Sequence, residues 1–206
     1  MTDTKEIKLS PKRQAMEARI IDSIHTLVKT KGLETMGARD VAKTAGCSVG
    51  SIYAVFHDLD NAIFAANAQT LKDMEANMMA VDMSGSDKTA LRKLARSYAE
   101  FALAYPERWK AVFLHQPQPG VKVPEWYFNL HAQLISRIVA PLRRLRSDLD
   151  EETSKRRART MFASVHGVVQ LALEQRFVGV GTEFLLEEVD ALVLAMTRGL
   201  TETPND

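Results

Sequence analysis

A chain of 206 residues that is 46% apolar and 26% charged has the material for a buried core in one or two globular domains. No run of about 18 apolar residues occurs and the first residues, MTDTKEIKLSPKR, hold no apolar leader stretch, so neither membrane spanning nor export is expected, and the cytoplasm is the expected location. The net charge of +1 leans basic over residues 1–57, with nine Lys/Arg against six Asp/Glu, but an imbalance this small cannot by itself establish a polyanionic partner.

Apolar residues recur at helical spacing almost throughout and no β-branched run alternates, which predicts an all-α fold of about nine helices. The first helix carries Ile20, Ile21, Ile24, Leu27 and Val28 and stops at Gly32. A short second helix from about Ala38 to Ala45 turns Val41 and Ala42 inward, and the turn Gly46-Cys47-Ser48 leads to a third from Val49 to Phe56. Asp58 is placed to cap a fourth, with Ile63, Leu71, Met74 and Met78 inward, ending near Ser84-Gly85. The next carries Leu91, Leu94, Tyr98, Phe101 and Tyr105 and is stopped at Pro106, before a short piece through Trp109, Val112 and Phe113. A loop rich in proline spans His115 to Pro124. Beyond it a long helix aligns Leu130, Leu134, Ile138, Leu142, Leu145 and Leu149, with a bend expected at Pro141. Two more helices follow, one with Met161, Val165, Val168 and Leu171, the other with Phe184, Val189, Leu192, Val193, Met196 and Leu200. The division expected is 1–57 and 58–206.

Residues 36–57 carry the functional signal. Two short helices joined by a glycine turn form a helix-turn-helix, whose second helix can present its N-terminus to a DNA major groove. Ala42 and Ala45 let the helices cross closely, while Ile52 and Phe56 anchor the third helix inward. Val49, Gly50, Ser51, Tyr53 and Ala54 are left outward, and Ser48 is the expected N-cap, its helix end facing phosphates.

The order of residues here, a helix ending in glycine, then Arg39-Asp40-Val41-Ala42, then AGCSVGSIYAVF, resembles the DNA-binding domain of the tetracycline-repressor (TetR) family across about residues 16–64. The resemblance implies that Arg39 begins the second helix as a base or phosphate contact. It implies a base-facing surface of Val49, Gly50, Ser51 and Ala54, with Tyr53 and His57 at phosphates. Two positions depart from the family pattern: Gly37 stands where a threonine or serine caps the second helix, and Leu59 where a lysine is common. Farther on, Phe162-Ala163-Ser164-Val165-His166-Gly167, with Tyr98 to Ala102 and Tyr105-Pro106-Glu107, resembles a subgroup with a tryptophan-histidine-glycine signature, the tryptophan being Phe162. The family further implies a homodimer built on the last two helices, a palindromic double-stranded operator, a small-molecule effector, and repression released by that effector.

Trp109, Phe113, Trp126 and Phe128 flank the proline loop and either line a largely apolar ligand pocket, with Met161 and His166, or belong to the core. Cys47, the single cysteine, sits at a turn position where a small apolar group packs, so it is expected to be structural. His115, His131 and His166 lack metal-ligand spacing, and no metal or cofactor is expected. The basic residues Arg143, Arg144, Arg146, Lys155, Arg156, Arg157 and Arg159 interleave with acidic ones and read as a solvated face. No GxSxG, phosphate-binding glycine loop or carboxylate pair beside a histidine supports an enzyme, and no catalytic residue is assigned. A ligand-responsive DNA-binding regulator is the leading expectation; a helix-turn-helix protein controlled by abundance or a protein partner is the alternative.

Overall fold

The computed structural model describes residues 10–201, with side chains through Arg198, and within them nine helices and no strand. They are α1 (Pro11–Lys31), α2 (Ala38–Ala45), α3 (Val49–Phe56), α4 (Leu59–Met79), α5 (Asp87–Ala104), α6 (Pro106–Leu114), α7 (Glu125–Leu145), α8 (Glu151–Leu173) and α9 (Leu185–Thr201). The expected all-α architecture is observed. Side-chain oxygens set most of the starts, because the first N–H groups of a helix have no partner within it. Ser10 accepts from Arg13 N, Ser86 from Thr89 N, Asp150 from Thr153 N and Asp58 from Asn61 N.

The chain divides into two compact units. One runs up to Gln69 and takes in Lys110–Lys122; the other comprises Thr70–Trp109 and the chain from Val123 on. This partition falls inside α4 and α6 rather than at residue 57. The reason lies in the core of the first unit, where Ala62, Ile63, Ala66 and Ala111 join Ile20, Ile24, Leu27, Val28, Val41, Ala45, Ile52 and Phe56. Two polar bonds fix those additions: His25 Nε2 meets Ala66 O at 2.9 Å, partly buried, and Asn67 Nδ2 donates to Ala111 O at 2.8 Å, fully buried. Cys47 packs against the same core, as expected of a structural thiol.

In the second unit α5 packs against α7, α8 and α9. Its buried stripe is Leu91, Leu94, Tyr98, Phe101 and Ala102, whereas Tyr105 is exposed at the helix end, where the Arg108 guanidinium lies over its ring at 5.6 Å. Arg92 ties α5 to α9 through Asp190 at 3.0 Å. Two apolar alignments stop short of expectation. The α7 stripe buries Leu134, Ile138 and Leu142, continues past Pro141, and ends at Leu145; Arg146 pairs with Asp148 at 2.6 Å in the following turn, so Leu149 is outside the helix. The stripe of α9 begins at the fully buried Leu185, while Phe184 is exposed. Leu200 lies outside the described side chains. In α8 the inward residues are Met161, Val165, Val169 and Ala172, leaving Val168 and Leu171 turned outward.

Two histidines are largely withdrawn from water. His115 packs edge-on to Phe64 with centroids 5.3 Å apart, and its Nε2 lies 3.1 Å from Asp60 Oδ1 without hydrogen-bond alignment. Burial pushes the His115 pKa down, against an upward pull from Asp60. Burial also lowers that of His166. A histidine kept neutral in the folded state but free to protonate near 6.5 when unfolded draws the equilibrium toward unfolding as pH falls. Urea denaturation should therefore give a stability flat above about pH 7 that declines as pH drops through about 6.5 and below, less steeply in His115→Gln and His166→Gln. Stability that rises on acidification from pH 7 to 5.5 would contradict this.

Candidate nucleic-acid interface

Helices α2 and α3 have eight residues each. At that length no isolated helix persists, and what holds these two is the satisfaction of their ends together with a shared core. At the start of α2, Gly37 supplies no capping side chain, and the Asp40 carboxylate substitutes in part by accepting from Gly37 N at 3.2 Å. Asp40 also accepts from Lys31 Nζ at 2.9 Å, joining the end of α1 to the start of α2. The Lys31 ammonium, and next the Gly37 N–H, hold the Asp40 carboxyl below the ordinary carboxylate range. The end of α2 is closed by Gly46 in the left-handed conformation (φ 61°), with Cys47 N donating to Ala42 O at 2.9 Å.

Ser48 caps α3, its Oγ accepting from Ser51 N at 3.1 Å and lying 2.9 Å from Ser51 Oγ. The two hydroxyls thus occupy each other at the helix mouth. Ile52 and Phe56 are buried, Val49 and Ser51 are partly covered, and Gly50, Tyr53, Ala54 and His57 are exposed, with Tyr53 at 46%. Arg39 is exposed on the first turn of α2, and its side chain makes no hydrogen bond or ion pair among the described residues. Arg39, Val49 and Tyr53 border one open concavity, together with Glu34, Thr35 and Gly37. The eight interface residues expected from the sequence, Arg39, Ser48, Val49, Gly50, Ser51, Tyr53, Ala54 and His57, thus lie on or beside α3 and the start of α2 within one unit. His57 has φ 71° and ψ −44°, a region that L residues seldom enter, while its N–H closes α3 on Tyr53 O at 2.9 Å.

Gly50 has no internal reason to be glycine. Its φ is not positive, and a Cβ there would meet nothing nearer than Ser48 Oγ at 3.6 Å.

The residues proposed for a ligand are dispersed. Met161 borders an apolar cavity of about 20 Å³ in the second unit with Met78, Leu91, Leu94, Ile138 and Phe162. Beside it Tyr98, itself a lining residue, lies with its Oη 2.7 Å from His166 Nδ1 and accepts from Trp109 Nε1 at 3.0 Å, and Trp109 stacks on His166 with centroids 4.9 Å apart. Burial holds the Tyr98 hydroxyl well above its ordinary pKa. Tyr98 and His166 thus share one hydrogen bond, in which the tyrosine donates if Nδ1 is bare and the imidazole donates if Nδ1 carries the proton. Trp126 is 46% exposed with its ring edge against Tyr127, and Phe128 is 60% exposed; neither lines the cavity. Phe113 belongs to the other unit, as does the whole segment Lys110–Lys122. Sequence reasoning missed Tyr98 and Phe162 as cavity residues, although both stand in the segments quoted for the family subgroup.

No helix among the described residues is long and apolar enough to cross a membrane, and no group of three or more His, Cys, Asp or Glu among them is arranged to hold a metal ion. Of the seven basic residues read as a solvated face, three are ion-paired: Arg144 with Asp87 at 2.7 Å, Arg146 with Asp148 at 2.6 Å and Lys155 with Glu151 at 2.7 Å.

Residues 91–198 match a family model described as tetracyclin repressor-like, C-terminal domain. A search of curated proteins finds no match. The fold is similar to that of a protein of unknown function from Rhodococcus sp. RHA1, with TM-score 0.70 and 20% identity over 96% of this chain and 100% of that one. It is similar also to SCO4454, a TetR-family transcriptional regulator from Streptomyces coelicolor, with TM-score 0.69 and 15% identity over 92% and 97%. A TetR transcriptional regulator from Rhodococcus sp. RHA1 matches with TM-score 0.63 and 16% identity over 90% and 97%.

The geometry of α3 separates fold from surface at two positions. Ser48→Ala removes the cap and should lower unfolding free energy by about 1 kcal/mol. Gly50→Ala restricts the unfolded backbone without a clash and should raise it by up to about 1 kcal/mol. Chemical denaturation of the two variants should move the midpoint in opposite directions; a destabilised Gly50→Ala would mean that the fold itself requires this glycine.

Proposed function

The chain belongs to the tetracycline-repressor family, and from that premise we propose that it is a homodimeric regulator that reads a palindromic operator with α3 and the start of α2. The observation that carries the reading is the division of α3 into a face that holds the fold, through Ile52 and Phe56, and a face with no internal role, through Gly50, Tyr53 and Ala54. Arg39 adds an uncommitted guanidinium, whose fork suits guanine O6 and N7. Ser48, Tyr53 and His57 supply groups suited to phosphate oxygens, which orient a protein without specifying sequence. Val49 and Ala54 offer methyl contacts to thymine, and Ser51 a hydroxyl shared with Ser48. Gly50 permits the helix mouth to approach the sugar-phosphate chain closely.

Dimerisation through α8 and α9 is supported by apolar side chains they leave incompletely covered, Val168, Leu171, Leu192 and Met196, beside the small residues Ser164 and Gly167. A two-fold pair sets the half-sites a whole number of turns apart, about 34 Å per turn.

The effector is a small, uncharged, largely apolar molecule that binds at the cavity by Met161 and Tyr98 and, in a repressor, releases the operator. Its neutrality follows from the lining: no charged side chain borders the cavity, and an unpaired ion there would be costly. Met78 and Met161 are flexible enough to yield the space that a ligand needs. One observation favours the second reading, DNA binding without a small molecule: the cavity as it stands has room for little more than water.

Arg39→Ala should cost roughly 1–3 kcal/mol per half-site on the preferred duplex and relax discrimination at one base pair, with non-specific affinity much less affected. Tyr53→Phe should weaken preferred and random duplexes by similar factors with an unchanged salt slope. Equal loss on every duplex for Arg39→Ala would make it a phosphate contact. For the effector, Trp126→Phe leaves Trp109 as the single tryptophan; titration with naphthalene should change its emission and titration with a naphthoate should not. If neither does, the ligand-free reading is the correct one.

A further inference from the structure

Exposed arginines on the first helix of a DNA-binding unit invite assignment to phosphates. The hydrogen bonds of Arg13 and Arg19 point elsewhere. Arg19 Nη2 donates to Ala45 O and, at 2.9 Å, to Gly46 O. Arg13 Nη2 donates to Val55 O at 3.2 Å. Ala45 is the last residue of α2 and Val55 lies in the last turn of α3, so both arginines reach carbonyls that have no partner within their own helix. A guanidinium at a helix C-terminus also meets the negative end of the helix dipole. In each of these eight-residue helices the arginine closes one C-terminal carbonyl, Ala45 O in α2 and Val55 O in α3.

Arg19 is further interlocked with the turn between the two helices. A Cβ on Gly46 would come within 3.1 Å of Arg19 Nη2, a tight approach, and Gly46 has φ 61°. Glycine there satisfies the left-handed backbone and leaves the guanidinium its place over the turn. Both bonds leave Nη2, whose two N–H groups are fixed in the guanidinium plane; a lysine ammonium, tetrahedral and freely rotating, lacks that fixed pair. Arg13 acts on the other end of the same device, at the last turn of α3 before the unfavourable backbone of His57.

We propose that Arg13 and Arg19 are positioning residues for DNA recognition: α1 grips the C-terminal ends of α2 and α3 and thereby fixes the pose in which α3 meets a base sequence. The proposal rests on the DNA-binding reading given above, and it assigns these arginines to specificity rather than to electrostatic attraction. It separates them from Arg39, whose guanidinium has no partner of this kind among the described residues.

The test uses the full-length protein, a duplex enriched by the wild type from a randomised pool, and a random-sequence duplex of equal length. Arg19→Lys, Arg19→Gln and Arg13→Gln are compared at several salt concentrations, well below thermal unfolding as followed by circular dichroism. The expected result is a fall of about tenfold in the ratio of enriched to random affinity for both Arg19 variants, with the salt slope unchanged. Loss of stability alone would leave that ratio as it is. A phosphate contact would give full retention in Arg19→Lys, and in Arg19→Gln an equal loss on both duplexes with a salt slope smaller by about 1; that outcome overturns the proposal. Amide hydrogen exchange without DNA is the independent arm: protection across residues 42–56 should fall in all three variants, and unchanged protection would also overturn it. If the wild type enriches no duplex, the DNA-binding reading fails and the positioning role fails with it, while the exchange result still decides whether α1 clamps the helix ends.

Discussion

An eight-residue helix has nearly as many backbone groups without an internal partner as with one. That constraint governs the N-terminal unit. The polar residues that look available for other purposes are in large part assigned to helix ends: Asp40 and Ser48 at the starts of α2 and α3, Arg19 and Arg13 at their ends, Gly46 where the chain must turn left-handed between them. Once those groups are assigned, the residues left outward are few, and their identities acquire meaning. Arg39, Gly50, Tyr53, Ala54 and His57 are a candidate interface because the fold makes little other use of their side chains.

The second unit works by the opposite means. Its helices run longer, α8 from Glu151 to Leu173, and depend more on packing than on end chemistry. Polar groups at its centre are few and joined to one another: the Trp109 indole, the Tyr98 hydroxyl and the His166 ring form one hydrogen-bonded set, backed by Phe162 at 5.3 Å from Tyr98. A neutral set of this kind can be buried at modest cost because each polar atom named has a partner. The apolar cavity opens alongside it, so an apolar molecule lodged there would press on a group of side chains with a defined arrangement.

Local chemistry was legible in the sequence, and distant chemistry was not. The helix-turn-helix could be read because its signals lie within a few residues of one another: Ser48 before Ser51, Gly46 after Ala45, Ile52 four before Phe56. The roles of Arg13 and Arg19 could not, since their partners are backbone carbonyls that carry no residue identity and come near only through the tertiary fold. The ligand residues suffered from the converse error. Trp109, Phe113, Trp126 and Phe128 are neighbours in sequence, yet α6 divides between two units, and Trp126 and Phe128 face outward. Tyr98 and His166, far apart in the chain, are the pair that meet. Helix ends slipped where a plausible apolar residue sat one position beyond the true stripe, as with Phe184 against Leu185.

The first unit draws its core from discontinuous stretches of chain. Cutting after residue 57 would strip Ala62, Ile63, Ala66 and Ala111 from around Ile20 and Ile24, along with the bonds from His25 and Asn67. A fragment ending at Gln69 would restore part of this and still lack the stretch Lys110–Lys122, which includes His115 beside Asp60. The first unit is therefore not a transplantable module in the manner of a zinc finger. Grafting it onto another protein would require a host able to supply a surrogate for that returning stretch, and limited proteolysis would be a poor route to an autonomous fragment of this unit.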